Sequence, residues 1–437
     1  MMGVHAALMR RRIGLSVAAL FVAVGLLYSA LWAPLVLHHQ FWMQPGDIWG
    51  SFRAAHYIGW GDLGDIYARG TGYITTPGLA VLLSPFAVLA SHFGLSESFP
   101  WANPHPTAWP MLDLVSLLCG GSALVALDAA AEFLEVPRRR RLVLCCAQAV
   151  LLWPVIVVWG HPEDAVALSF AVYALLACYS NRWRSGGWLL GAAVLFQPFT
   201  LLLVPVALVA LELRSSIRFL SRVVVPSLVL LVIPLVQSWH DATYALIQQP
   251  TFPGINHPTP LLPLAIRLAP ESRAVVNQAE WLNGHFVLTL HADKLTDVVS
   301  PGPGRLIALA IACALGLLAR RRMLGTVAQF WLAAVVLACW SLMEPVMTPY
   351  YLWPPLAFGM ICAFRAGRWR CVTATAAAIF AVYWSEKYLS PWAWWLPLIG
   401  AIAVVLYSGL QSEWLFSPAS RGSDGFAQDL RAPAKVG

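Results

Sequence analysis

Long apolar runs broken by short polar stretches dominate the chain. Runs long enough to cross a bilayer begin near residues 13, 110, 141, 165, 223, 304, 325, 351, 371 and 393, each predicting a membrane helix. The first run, from Ile13 to about Leu37, is too long for the core of a signal peptide, and no small-residue cleavage site follows it, so it reads as the first span. A further run, 187–212, is interrupted at Gln197-Pro198. Proline breaks a helix by removing a donor and crowding the preceding turn, so this run predicts two short helices. The expected fold is all-α and polytopic, one unit over 1–410, with a polar tail over 411–437 expected to be disordered.

Composition agrees with lipid as the solvent. Of the 437 residues 59% are hydrophobic and only 11% charged, against about 25% charge in soluble domains. The eight cysteines lie in or at the ends of apolar runs and read as small core side chains, with no disulfide framework expected. The net charge of +7 could suggest a nucleic-acid partner, but the placement of the basic residues gives it another meaning.

Cytoplasmic loops of membrane proteins are enriched in Lys and Arg. The interrupted run has Arg182 and Arg184 before it and Arg214 and Arg218 after it, so both flanks are expected inside and the run turns back at Gln197-Pro198 as a hairpin. The same rule keeps the Pro77–Phe93 segment on the outer side as an interfacial or re-entrant helix, because a crossing there would expel Arg138–Arg141. About twelve membrane segments result, with both termini cytoplasmic in a plasma membrane. Basic residues then divide 21 inside to seven outside, while most acids and ten of eleven histidines fall outside. Two outer loops are long, 38–109 and 239–304. The basic charge is thus a topology signal, and no nucleic-acid partner is expected.

The outer loops hold the candidate chemistry. Asp47 precedes Ile48, Phe52, Ala55 and Gly59, apolar and small positions at helical spacing. It reads either as the N-cap of an interfacial helix or as a carboxylate poised as a general base. The short turn Trp159-Gly160-His161-Pro162-Glu163-Asp164 sets a histidine and two carboxylates at a membrane boundary, where ionisable groups default to a functional hypothesis. The alternative is ordinary solvated loop charge, and the set is a weak metal signature. Gln197 is placed at the floor of an outer cavity or as a helix cap. Arg53, Arg267, Arg273, His257 and His285 are candidates for phosphate, and Glu344 with Tyr350 and Tyr351 for lining the same cleft. Trp49, Trp60 and Trp159 are outer rings able to stack on a sugar. Neither a phosphate-binding glycine loop, a nucleophile elbow, a zinc-protease helix nor a dinucleotide fingerprint is present, which disfavours a nucleotide-driven enzyme.

Phe52-Arg53-Ala54-Ala55-His56 after the early Asp47, then Gly64-Asp65-Ile66-Tyr67, Thr76-Pro77-Gly78-Leu79 and Ser84-Pro85, resemble the GT-C glycosyltransferases. The nearest resemblance is to the actinobacterial polyprenyl-phosphate-mannose-dependent mannosyltransferases. It continues in Trp153-Pro154, Gln197-Pro198 and Glu344-Pro345 with Tyr350, across most of 10–370. The chain departs from that family in having Gly78 for a proline, Gly160-His161-Pro162-Glu163-Asp164 where the family has a Gly-Gln turn, and Gln197-Pro198 for a Lys-Pro hairpin. The resemblance implies a polyprenyl-phosphate sugar donor, mannose or arabinose, and a glycolipid or cell-envelope glycan acceptor, with no nucleotide and no obligatory metal. It implies Asp47 as the base and Glu163 or Asp164 orienting the acceptor or sharing that role. Arg53, His56, His161, Gln197, His257, Arg267, Glu344 and Tyr350 then become candidate substrate contacts. The competing expectations are a transporter of lipid-linked sugars and a non-catalytic assembly protein. The transferase reading carries a geometric expectation: Asp47, the 161–164 turn and Gln197 converge.

Overall fold

The computed structural model describes residues 12–37, 47–68, 71–95, 108–209, 211–254, 256–269, 271–282, 285–295, 297–387 and 389–411. The tail assigned to 411–437 lies outside them beyond Gln411. Helices dominate: Arg12–Leu37, Ile48–Trp60, Gly78–His92, Trp109–Phe133, Arg138–Trp153, Pro162–Tyr179, Trp183–Phe196, Val204–Leu208, Leu213–Gln237, Trp239–Thr243, Gly304–Arg321, Thr326–Met343, Trp353–Ala366, Arg368–Trp384 and Pro391–Gly409. Seven membrane-span candidates, drawn from these helices, are long and apolar enough to cross a bilayer, the signature of a helical polytopic membrane protein. The eight cysteines are all unpaired thiols.

Close approaches at glycines give the relative direction of neighbouring helices. Gly14 meets Asp128, Gly121 meets Ala18, and Gly25 meets Leu117, so Arg12–Leu37 and Trp109–Phe133 run antiparallel. The chain therefore leaves and re-enters the bundle at one end, and the Gly78–His92 helix between them belongs to that end. It pairs with Ile48–Trp60 as a helical hairpin, Gly59 lying against Ser84 and Val88. Ile48, Phe52, Leu79, Leu83, Trp109 and Phe196 bury themselves beneath this hairpin.

The interrupted run behaves as its prolines demand. Trp183–Phe196 ends at Gln197, which is extended, and a tight helix Pro198–Leu203 follows. Gly187 contacts Phe219 and Arg222, while Gly191 contacts Arg222, Val223 and Pro226, so Trp183–Phe196 and Leu213–Gln237 run parallel. The segment between must return to its starting end. At about 1.5 Å per residue in an α-helix and 2.0 Å in a 3₁₀-helix, Pro198–Leu203 and Val204–Leu208 have the length to do so.

The second long loop departs from the all-α expectation. It contains an antiparallel pair, Glu271–Leu282 with His285–Leu295, and a short one, Ile266–Arg267 with Val299–Ser300, while its His257–Pro258 pairs with Val346–Met347 of the late turn. The sequence held a signal for the first pair: Asn283-Gly284, a dipeptide favoured in two-residue hairpin connections, between stretches carrying Val275, Val276, Val287 and Thr289.

Gly78 stands where a close approach leaves no room for a side chain. A Cβ there would stand 2.5 Å from the Leu195 carbonyl oxygen, while the neighbouring Thr76 hydroxyl donates to the Val194 carbonyl at 3.1 Å. Backbone thus packs on backbone where the hairpin docks. Gly78→Val is expected to lift the hairpin and cost roughly 1–3 kcal/mol, the usual penalty for overpacking, read as a lower thermal midpoint in detergent.

Candidate functional site

The turn that carries the histidine is built by a proline. Helix Arg138–Trp153 runs on into Pro154, whose missing N–H loosens the ladder into a π-turn over Pro154–Val158. The Trp159 N–H then donates to the Pro154 carbonyl at 2.8 Å and the His161 N–H to the Val155 carbonyl at 2.9 Å. Between them Gly160 adopts φ 71°, a left-handed conformation open to glycine at little cost. Pro162 starts the next helix with Glu163 and Asp164 in its first turn, where carboxylates face the free N–H groups of the helix start.

Asp47 is drawn into this turn from the other side. Its N–H donates to the Trp159 carbonyl at 2.8 Å. Asp47 stands at the N-cap position of Ile48–Trp60, yet its side chain makes no capping bond. Its Oδ2 instead lies 3.2 Å from His161 Nε2, and His161 Nδ1 lies 2.8 Å from Glu163 Oε1. The imidazole is stacked on the Tyr350 ring at 3.6 Å between centroids and 25° between planes. One imidazole therefore joins two carboxylates, Glu163 with 5% and Asp47 with 57% of its side chain exposed.

Burial by itself would lower the His161 pKa. The Glu163 and Asp47 carboxylates outweigh it through charge and hydrogen bonding and raise the value to about 10, so at neutral pH both ring nitrogens donate. The unfolded value is near 6.5. A group whose folded pKa is raised stabilises fully below its unfolded pKa and loses that contribution as pH climbs to the folded one. Thermal midpoints in detergent are thus expected to fall between about pH 6.5 and 10 more steeply for the wild type than for His161→Phe, which cannot titrate.

Behind this row lies a second layer. Asp164 is fully buried, and Glu163, His161 and Gln197 are the groups that act on it. Gln197 is itself buried. Glu163 Oε2 is buried without a hydrogen bond among the described residues, the kind of group that a solvent molecule, a proton or a ligand completes. Tyr350 meets Tyr351 edge to face at 4.8 Å, and burial, then Tyr351 and Asp47, push the Tyr350 phenol well above its ordinary value. Glu344 is buried against Arg305 at 2.6 Å, and Arg305 also donates to Gln249. Trp159 Nε1 donates to Glu386 Oε1 at 2.9 Å.

The structure therefore brings Asp47, His161, Glu163, Asp164, Gln197 and Tyr350 together, with Glu344 one tyrosine away. Other candidates lie apart from the row. Arg53 is exposed, its guanidinium 4.5 Å over the Trp49 ring. His56 turns to the helical hairpin, with Nδ1 3.2 Å from Ser91 Oγ. His257 is stacked on Trp394 at 4.5 Å, and burial lowers its pKa. Arg267 is exposed on its short strand. The side chains of Arg273 and His285 lie outside the described residues. Arg305 and Glu386 were not singled out from sequence. A charge just inside the apolar run at Gly304 was the signal for the first, whereas nothing local marks Glu386.

Compared with protein-family models, with characterised proteins and with solved structures, the chain matches none. What is established is therefore a helical membrane protein with a buried histidine shared by two carboxylates at one end of its bundle.

Proposed function

We propose that this protein is a membrane glycosyltransferase of the GT-C kind, with about twelve membrane segments, cytoplasmic termini and its Asp47 end facing outward from a plasma membrane. It transfers a sugar, mannose or arabinose, from a polyprenyl-phosphate donor to a glycolipid or cell-envelope glycan. The observation that carries this reading is the Asp47–His161–Glu163 row. It lies at the opposite end of the bundle from the buried Arg141–Asp128 pair. A half-exposed carboxylate held by a buried cation suits a base that meets a substrate arriving from the bilayer surface.

In this reaction Asp47 accepts the proton of the acceptor hydroxyl as its oxygen attacks the anomeric carbon. The bond from that carbon to the phosphate oxygen breaks on the opposite face, and the electron pair leaves with the polyprenyl phosphate, inverting the centre. Arg53, on the helix that Asp47 begins, offers positive charge to the departing phosphate. A transporter would need a polar path through the bundle. Asp128, at its other end, is instead closed off by Arg141 and by the Gly14 N–H at 3.0 Å, which favours the transferase.

Membranes containing the protein, supplied with radiolabelled polyprenyl-phosphate mannose or arabinose, are expected to move label into a glycolipid or glycan fraction. Absence of transfer from every prenyl-phosphate hexose and pentose tried would overturn the reading.

A further inference from the structure

The geometry points to His161 as a positioning residue: held by Glu163 and clamped on the Tyr350 ring, it fixes the Asp47 carboxylate in place, so that Asp47, His161 and Glu163 work as one hydrogen-bonded unit. This inference rests on the transferase reading for its catalytic consequence but not for the existence of the unit.

Asp47 begins its helix without capping it, and its side chain is more than half exposed, so by itself it would sample several rotamers. Its N–H is tied to the Trp159 carbonyl and its Oδ2 to His161 Nε2. These two anchors come from the same turn, two residues apart. His161 is held in turn by its own N–H bond to Val155, by Glu163 at 2.8 Å and by the Tyr350 face. Every neighbour that fixes the imidazole comes from a helix end or a turn beside one, the stiffest part of a loop-borne site. His161 Nε2 faces Asp47, so the histidine acts on the acceptor through that carboxylate.

The proton inventory is simple. His161 stays protonated throughout turnover, Asp47 takes the acceptor proton, and the exposed Asp47 side chain returns it to water. The titratable and charged groups facing His161 are Asp47 from the start of the first-loop helix, Glu163 and Asp164 from the following helix, and Tyr350 from the late turn. Glu163 is the largest favourable influence on its charge. Removing that charge while keeping an acceptor oxygen, as Glu163→Gln does, loosens the proton without emptying the space.

The test combines transfer kinetics with a His161 titration followed by nuclear magnetic resonance on ¹⁵N-histidine-labelled protein in detergent. His161→Phe keeps the stack on Tyr350 and removes both hydrogen bonds. It is expected to lower kcat by about 10², the scale of a small misplacement of a reacting group, with KM for the donor unchanged. In Glu163→Gln the alkaline limb of kcat and the His161 titration are expected to move together to lower pH. Asp47→Asn is expected to move the titration the same way. Wild-type kcat in His161→Phe, or a His161 titration in Glu163→Gln unmoved from the wild type, overturns the unit. A wild type that transfers no sugar while the titration shifts in both variants supports the unit and overturns the transferase reading, so the two failures are distinguishable.

Discussion

Asp47→Asn is expected to abolish transfer almost completely while leaving the protein folded. The amide is isosteric and can still accept from His161 Nε2 through its oxygen, so the anchor at 3.2 Å is weakened rather than lost. What disappears is the ability to take a proton. General-base catalysis contributes about 10²–10⁴-fold, and kcat should fall by that factor with little change in KM. Turnover of a radiolabelled prenyl-phosphate sugar in membranes measures it, with the thermal midpoint as the control for folding. Unchanged kcat would remove Asp47 from the base role and leave it as an anchor of the first-loop helix. The variant separates this from the bland alternative cleanly, because the carboxylate does not cap its own helix and a capping loss is not in play.

The second large effect lies at the other end of the bundle and concerns stability. Asp128 is completely buried; its Oδ1 accepts from Arg141 Nε at 2.7 Å and its Oδ2 from the Gly14 N–H at 3.0 Å. It thereby joins three helices: Arg12–Leu37, Trp109–Phe133 and Arg138–Trp153. Asp128→Ala leaves a buried guanidinium without its main partner and is expected to cost roughly 3–5 kcal/mol. The lower part of that range is favoured because Glu132 stands 3.4 Å from Arg141 Nη1 and takes up part of the charge. Asp128→Leu combined with Arg141→Met removes both charges and should recover most of the loss. The recovery stays incomplete by about 1 kcal/mol, since Gly14 loses the acceptor for a helix-start N–H. Thermal midpoints of the single and double variants in detergent decide this. A double variant no more stable than the single one would mean that the pair holds the helices through its geometry rather than its charge balance.

Much of the architecture was legible in the chain, for a physical reason. In lipid every backbone polar group must be satisfied within the segment, so an apolar run of sufficient length has one available structure. That is why seven of the apolar runs return as helices long and apolar enough to span. The runs near 304, 351 and 371 return as Gly304–Arg321, Trp353–Ala366 and Arg368–Trp384, which are not among those seven candidates. Gln197-Pro198 marked a reversal because proline does not continue a helix. The second long loop was less legible, since outside lipid the backbone has strands as well as helices open to it, and only Asn283-Gly284 pointed to the hairpin there.

The site was legible as a set of candidates and not as an arrangement. Asp47 and His161 are 114 residues apart, and no local pattern says that a carboxylate at a helix start will turn from its own N–H groups to a distant imidazole. Arg53 and His56 sit within ten residues of Asp47 yet follow the helix face toward Trp49 and Ser91. Glu386, distant in sequence, anchors Trp159. The sequence by itself determined that this protein is a bundle of membrane helices, because hydropathy acts run by run. Which of its acids share a proton-bearing histidine was decided by tertiary structure alone, because that depends on where the π-turn after Pro154 and the start of the Ile48–Trp60 helix meet in space.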